Sequence, residues 1–141
     1  MSEGLSAHHY GVTVSDLDAS LAFYRDVLGL DVVSEFSVGG EAFAEGVDVP
    51  GASADFAHLD AGGTRVELVS YDPAGEDDRG GSVNDAGAKH LGLACDDLDA
   101  FAASLPDDVE TLADGPRTTE SGTRILFVRD PDGTLVEVLE A

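Results

Sequence analysis

The chain has a single lysine, Lys89, and its 7 Lys plus Arg face 29 Asp plus Glu across 141 residues. Phosphate backbones are bound by clustered cations, so this shortage excludes nucleic acid as a partner. The formal net charge of -22 lies far beyond the magnitude of roughly 2 to 8 usual for a small domain, and it implies severe self-repulsion in dilute buffer. At molar salt the screening length contracts to about 3 Å and such a surface becomes tolerable. The composition is that of a cytosolic protein from a salt-loving cell. Cysteine is equally scarce: Cys95 is alone, which excludes an internal disulfide and agrees with a cytoplasmic location. Long apolar runs are missing too, none exceeding the four residues from Ile125 to Val128. The start MSEGLSAHHY has no basic segment leading into an apolar one, so neither a signal peptide nor a membrane span is expected.

What the chain does have is a repeat. HYGVTVSDLDA begins at His9 and HLGLACDDLDA at His90, with six of eleven positions identical. GTRVELV from Gly63 and GTLVEVL from Gly133 share Gly, Thr, Val and Glu in the same order. Each half therefore carries a histidine near its start and a glutamate near its end. This length suits one domain and is short for two ordinary independent ones. Two duplicated half-domains sharing one core is the economical reading: module one about 6–71, a linker at 72–87 and module two about 88–141.

The pattern within each half is that of mixed α and β structure. Tyr10, Val12 and Val14 alternate with His9, Gly11 and Thr13, which predicts a half-buried strand with its histidine on the less apolar face. Asp16 or Asp18 can cap a helix whose Leu17, Leu21, Tyr24 and Leu28 recur at helical spacing, with Gly29 as its stop. LDVVSEFS reads as a strand, GVDVPGA as a loop, and ADFAHLDA and TRVELVSY as a hairpin through Gly62-Gly63. The linker DPAGEDDRGGSVNDAG lacks apolar periodicity. Module two repeats the order, with a strand at His90 to Cys95 and a short helix marked by Leu98, Phe101, Ala102 and Leu105. VETLA follows as a weak strand, and TRILFVRD joins TLVEVLE through the turn DPDG. Glu67 follows His9 by 58 residues and Glu137 follows His90 by 47. The extra residues of module one fall between its helix and its hairpin, around GVDVPGA.

Period two places Glu67 on the face opposite Val66 and Leu68, and Glu137 opposite Val136 and Val138. His9 and His90 have the same relation to their apolar neighbours. If these faces line one cavity, two imidazoles and two carboxylates converge, a set suited to a divalent first-row metal with positions left open. Two nitrogens and two oxygens do not choose sharply among Zn, Ni, Co, Mn and Fe(II). The competing reading pairs Glu67 with Arg65, two residues away on the same face. His8 and His58 have no counterpart in the repeat and read as ordinary polar residues, His8 being the nearest rival to His9. Cys95 falls on the apolar face of its strand and reads as core rather than nucleophile.

HYGVTVSDLDASLAFYRDVLGL from His9, TRVELVSY from Thr64, HLGLACDDLDA from His90 and FVRDPDGTLVEVLE from Phe127 together resemble the vicinal oxygen chelate superfamily, also called the glyoxalase, bleomycin-resistance and dioxygenase superfamily. The combination of FYRDVLGL with DPDGTLVE is the specific part. The resemblance implies an α+β fold of two βαβββ modules in tandem, forming an open cupped eight-strand sheet around a metal site. It places the metal ligands at His9, Glu67, His90 and Glu137. Antibiotic-binding members commonly lack this set, and extradiol dioxygenases bind iron with two histidines and one glutamate. The additional acid at Glu67 is more similar to glyoxalase I and methylmalonyl-CoA epimerase.

The chemistry implied is proton movement beside a carbonyl. A metal chelating two neighbouring oxygens stabilises an enediolate, and a carboxylate takes the proton and returns it to the adjacent carbon. The family's use of its last glutamate points to Glu137 as that base, with Glu67 as the alternative. A glyoxalase I-like enzyme would isomerise the hemithioacetal of a 2-oxoaldehyde and a low-molecular-weight thiol, which in a salt-loving cell need not be glutathione. GVDVPGA and the long linker depart from the compact glyoxalase I pattern and bear on the substrate. An epimerase, a dioxygenase and a non-catalytic binding or resistance protein of the same fold are the alternatives. A homodimer is expected, because open sheets of this size leave strand edges to cover.

Overall fold

The repeated segments SDLDA and DDLDA do the same work in both halves. Asp16 Oδ1 accepts the N–H of Ala19 at 3.1 Å, and Asp97 Oδ1 accepts that of Ala100 at 3.0 Å. Each aspartate satisfies a backbone donor that the first helical turn leaves open. The computed structural model describes residues 4–76 and 82–141, and the chain divides into two units, Met1–Glu76 and Asp77–Ala141.

Unit one runs β1 (His9–Thr13), α1 (Leu17–Ala22), β2 (Asp31–Val38), α2 (Glu41–Val47), β3 (Ser53–Asp60) and β4 (Arg65–Asp72). Its four strands lie in the order β1-β4-β3-β2, with β1 parallel to β4 and the other pairs antiparallel. Unit two runs β5 (His90–Ala94), α3 (Leu98–Ser104), β6 (Arg117–Thr118), β7 (Arg124–Arg129) and β8 (Leu135–Glu140). Its order is β5-β8-β7-β6, with the same sense of pairing. These are the tandem βαβββ modules of the α+β class expected from the repeat.

In each unit one sheet face is covered by the first helix. Leu21 and Tyr24 are buried with Leu59, Val66 and Leu68 in unit one, and Leu98 with Leu126, Val128, Val136 and Val138 in unit two. Full burial of such a side chain contributes roughly 1.5–3 kcal/mol. Alternation then commits Glu67 and Glu137 to the opposite face, because they sit between buried neighbours on their strands.

Several local expectations are corrected. The α-helical ladder of α1 ends at Ala22 and continues as a π-helical turn over Phe23–Val27, before Gly29 turns the chain at φ +76°. The segment read as a loop begins inside a helix: α2 includes Gly46 and Val47 and stops where Asp48 turns left-handed. Ala and Glu in EAFAEGV favour a helix, but Phe43 is its one large anchor, packing near Phe56 and Tyr71. A single apolar anchor leaves no periodicity to read. VETLA is no strand. Thr111 bridges Val128, while the edge strand proper is the two-residue β6, beyond the Gly115-Pro116 break. At the expected linker, Asp72 still belongs to β4, and residues 77–81 lie outside the described residues. No described helix is long and apolar enough to cross a membrane.

Candidate functional site

Strand pairing brings each unit's histidine and glutamate together. In unit one Glu67 of β4 faces Gly11 of β1, two residues beyond His9. The missing side chain at Gly11 leaves its space to both neighbours: a Cβ there would lie 3.8 Å from His9 Cδ2 and 4.0 Å from Glu67 Oε1. His9 Nε2 stands 3.5 Å from Glu67 Oε1. Unit two repeats the pairing, with Glu137 facing Gly92, where a Cβ would meet nothing within 4 Å, and His90 Nε2 3.3 Å from Glu137 Oε1. The imidazoles are 36% and 38% exposed and the carboxylates 15% and 19%. Both pairs can therefore be reached from solvent while keeping a partly desolvated carboxylate.

Both separations exceed the usual length of a nitrogen–oxygen hydrogen bond. Two donors each about 2.0–2.2 Å from one ion, at tetrahedral or octahedral angles, stand about 2.8–3.6 Å apart. The spacing and the donor chemistry of each pair thus fit a shared divalent ion. Among the described residues no group of three or more His, Cys, Asp or Glu side chains is arranged to hold a metal; each unit supplies two.

The two pairs differ in what stands behind them. His58, read from sequence as an ordinary polar residue, is 5% exposed, and its Nε2 lies 2.8 Å from Glu67 Oε2. Arg65, the partner of Glu67 in the competing reading, instead places a guanidinium nitrogen 3.4 Å from His58 Nδ1. The reason is geometric, since His58 lies directly opposite Glu67 across the hairpin and reaches it first. A signal for this existed: a hairpin symmetric about Gly62-Gly63 pairs residue 58 with residue 67. At the corresponding place in unit two Phe127 faces Glu137, its ring centroid 5.1 Å from that of His90.

His8 stays close to the group, with its Nδ1 2.8 Å from His9 Nδ1. Beyond His58 the same face turns aromatic, with Phe36 stacked on Phe56 and edge-on to His58. A groove of about 550 Å³ beside α2, lined by Glu41, Ala44, Val49 and Ala52 among others, includes none of the paired residues. Cys95 is half-buried, and burial pushes its thiol up, which opposes a thiolate nucleophile.

Residues 6–138 match the family model of the Glyoxalase/Bleomycin resistance protein/Dioxygenase superfamily. The chain is 32% identical to the uncharacterized protein YaeR of Escherichia coli (strain K12), over 94% of each chain. It is 29% identical to a 2-epi-5-epi-valiolone epimerase of Actinomyces sp, over 96% of this chain and 79% of the relative. It is 26% identical to a probable lactoylglutathione lyase of Synechocystis sp., over 94% and 92%. A glyoxalase family protein from Bacillus cereus shares its fold, with a TM-score of 0.86 at 22% identity, over 99% and 95% of the two chains. The chain belongs to the glyoxalase, bleomycin-resistance and dioxygenase superfamily.

Proposed function

We propose that the chain is a divalent-metal-dependent lyase of the glyoxalase I kind, isomerising the hemithioacetal of a 2-oxoaldehyde and a small thiol to a 2-hydroxyacyl thioester. The observation that carries this reading is the twice-built pair, histidine nitrogen to glutamate oxygen at 3.5 and 3.3 Å, at repeat-related positions. His9 and Glu67 from one unit, with His90 and Glu137 from another, are the residues assigned to the ion; their donor set suits Ni, Co, Zn, Mn or Fe(II). When bound, the ion supplies Lewis acidity toward charge that develops on neighbouring oxygens. Glu137 takes the proton from the carbon that bears the hydroxyl and returns it to the adjacent carbon, so the isomerisation needs no outside oxidant or reductant. Phe127, its ring 5.1 Å from that of His90, is an apolar neighbour of this pair. The relative named as a probable lactoylglutathione lyase supports the reaction type.

A second reading, epimerisation beside a carbonyl, is favoured by the relative named as an epimerase. It uses the same carboxylates, with the proton removed from one face of a carbon and restored on the other. The working medium in this reading is a salt-rich cytoplasm, supported by the charge of -22. The homodimer is supported by edge strand β2, which exposes Val32, Val33 and Phe36.

The test begins with elemental analysis of protein purified in concentrated KCl, beside the Glu67→Ala, Glu137→Ala double variant. Near one metal per site, lost in the variant, with thioester formed from methylglyoxal and one of a panel of thiols, is the expected result. Metal without thioester formation, but with solvent deuterium entering an acyl-thioester substrate, would transfer the assignment to the epimerase. Iron with oxygen uptake would point to dioxygenase chemistry. No metal after reconstitution with each ion would remove the enzymatic reading.

A further inference from the structure

Neither the repeat nor the ligand pairs account for His58. It is a buried, titratable side chain on the site face of β3, in contact with Glu67, and among the described residues of unit two the glutamate has no such neighbour. In register, His58 of unit one corresponds to Phe127 of unit two, both standing opposite the glutamate. Arg65 corresponds to Leu135, both standing opposite the histidine that opens the repeat. Two polar residues therefore take the places of two apolar ones, and they touch each other.

We propose that His58, held from behind by Arg65, is a positioning residue that orients and locks the Glu67 carboxylate, a support that Glu137, already assigned as the base, does not have. A guanidinium only donates hydrogen bonds. His58 Nδ1, 3.4 Å from an Arg65 terminal nitrogen, is therefore the acceptor. With Nδ1 accepting, Nε2 is the donating nitrogen toward Glu67 Oε2 at 2.8 Å. This occupies one carboxylate oxygen and leaves Oε1 on the side of His9 Nε2. The ring itself is confined by burial and by the edge-on ring of Phe36, 5.2 Å between centroids. Such outer contacts orient a metal-binding carboxylate and remove its rotamer freedom.

Glu137 has no equivalent support. The side chains of Phe127 and Leu135 cannot donate a hydrogen bond, and the contact of the Glu137 carboxylate among the described residues is the 3.3 Å approach of His90 Nε2. A carboxylate that must leave its resting place, take a proton and deliver it elsewhere works best without a second anchor. One that must hold an ion works best with one. The asymmetry between His58 and Phe127 thus divides two chemically identical glutamates into a holder and a mover.

This inference rests on the metal-site reading above, and its test separates the two. Mn²⁺ or Ni²⁺ is titrated calorimetrically into metal-free wild-type protein and into His58→Phe, His58→Gln and Arg65→Met variants in concentrated KCl. His58→Phe, which copies unit two, is expected to weaken metal affinity about 10- to 100-fold, with far-UV circular dichroism unchanged. His58→Gln keeps an N–H donor and is expected to recover most of that loss. If His58→Phe fails to fold, Arg65→Met carries the measurement, since Arg65 is exposed; a several-fold loss is expected there. A long-range ¹⁵N–¹H correlation on the metal-free protein should show His58 as the Nε2–H tautomer. Wild-type binding with unchanged affinity in folded His58→Phe, or in Arg65→Met should His58→Phe not fold, would overturn the positioning role alone. A wild type that binds neither ion removes the metal-site reading and this role together.

Discussion

The two units are built on one plan and diverge where the plan leaves a choice. Both start a helix with an aspartate cap, share one strand order and bring a histidine within 3.5 Å of a glutamate. Unit one then adds α2 over an aromatic face and a His58–Arg65 support behind its carboxylate. Unit two puts Phe127 and Leu135 in those places and reduces its edge strand to two residues. The comparison teaches that duplication preserves what the frame needs, namely caps, buried alternation and the pair itself. The residues facing the pair from neighbouring strands are free to differ, and they do: His58 and Arg65 in unit one, Phe127 and Leu135 in unit two.

The largest expected effect breaks the equivalence of the two glutamates. Glu137→Gln should lower kcat about 10²- to 10⁴-fold, the usual scale for losing a general base, while metal content stays close to wild type. Glu67→Gln should instead release metal first. Equal losses of metal in the two variants, measured by elemental analysis and steady-state kinetics, would contradict the division of roles. Next in size, Phe127→His gives Glu137 the partner that Glu67 has. Turnover should drop about 10-fold with metal affinity unchanged or tighter, the ordinary scale for altering a residue behind a metal ligand; a faster enzyme would refute the idea that Glu137 must stay unanchored.

Where the halves are alike, their responses should be alike. Asp16→Ala and Asp97→Ala each remove a cap and should destabilise the protein by about 0.5–2 kcal/mol in urea unfolding, without changing metal affinity. Unequal costs would show that one helix depends more on tertiary packing than on its cap. The smallest effect is expected from Cys95→Val, which installs the residue that unit one carries at the same repeat position, Val14. Turnover should stay within about twofold and stability within about 0.5 kcal/mol, as for a change that keeps an apolar side chain of similar size. A large fall in turnover would mean that the thiol takes part in the chemistry.

Much of this protein was legible in its sequence. The repeat, the first helix cap narrowed to Asp16 or Asp18, the buried sides of β4 and β8 and the outward commitment of Glu67 and Glu137 all follow from period-two alternation and local hydrogen bonding, which neighbouring residues settle among themselves. Helix α2 was not legible, because a short helix with one apolar anchor depends on contact with Phe56 and Tyr71 from other strands. The broken edge of unit two was half legible: Gly115-Pro116 announces a break, but which residues beyond it would pair was decided by β7.

His58 shows the division most clearly. Its place on a hairpin strand could be read from the turn, yet its chemistry depended on which side chain won the contact with Glu67. Arg65 is nearer in sequence and opposite in charge. His58 is nearer in space, because antiparallel pairing sets it directly across from the carboxylate, and burial holds it there. Sequence by itself determined that two histidines and two glutamates would share one kind of sheet face, since alternation is a property of the strand alone. Only tertiary structure decided that one carboxylate would be anchored and the other left loose, since that depends on which residue each strand register places opposite it.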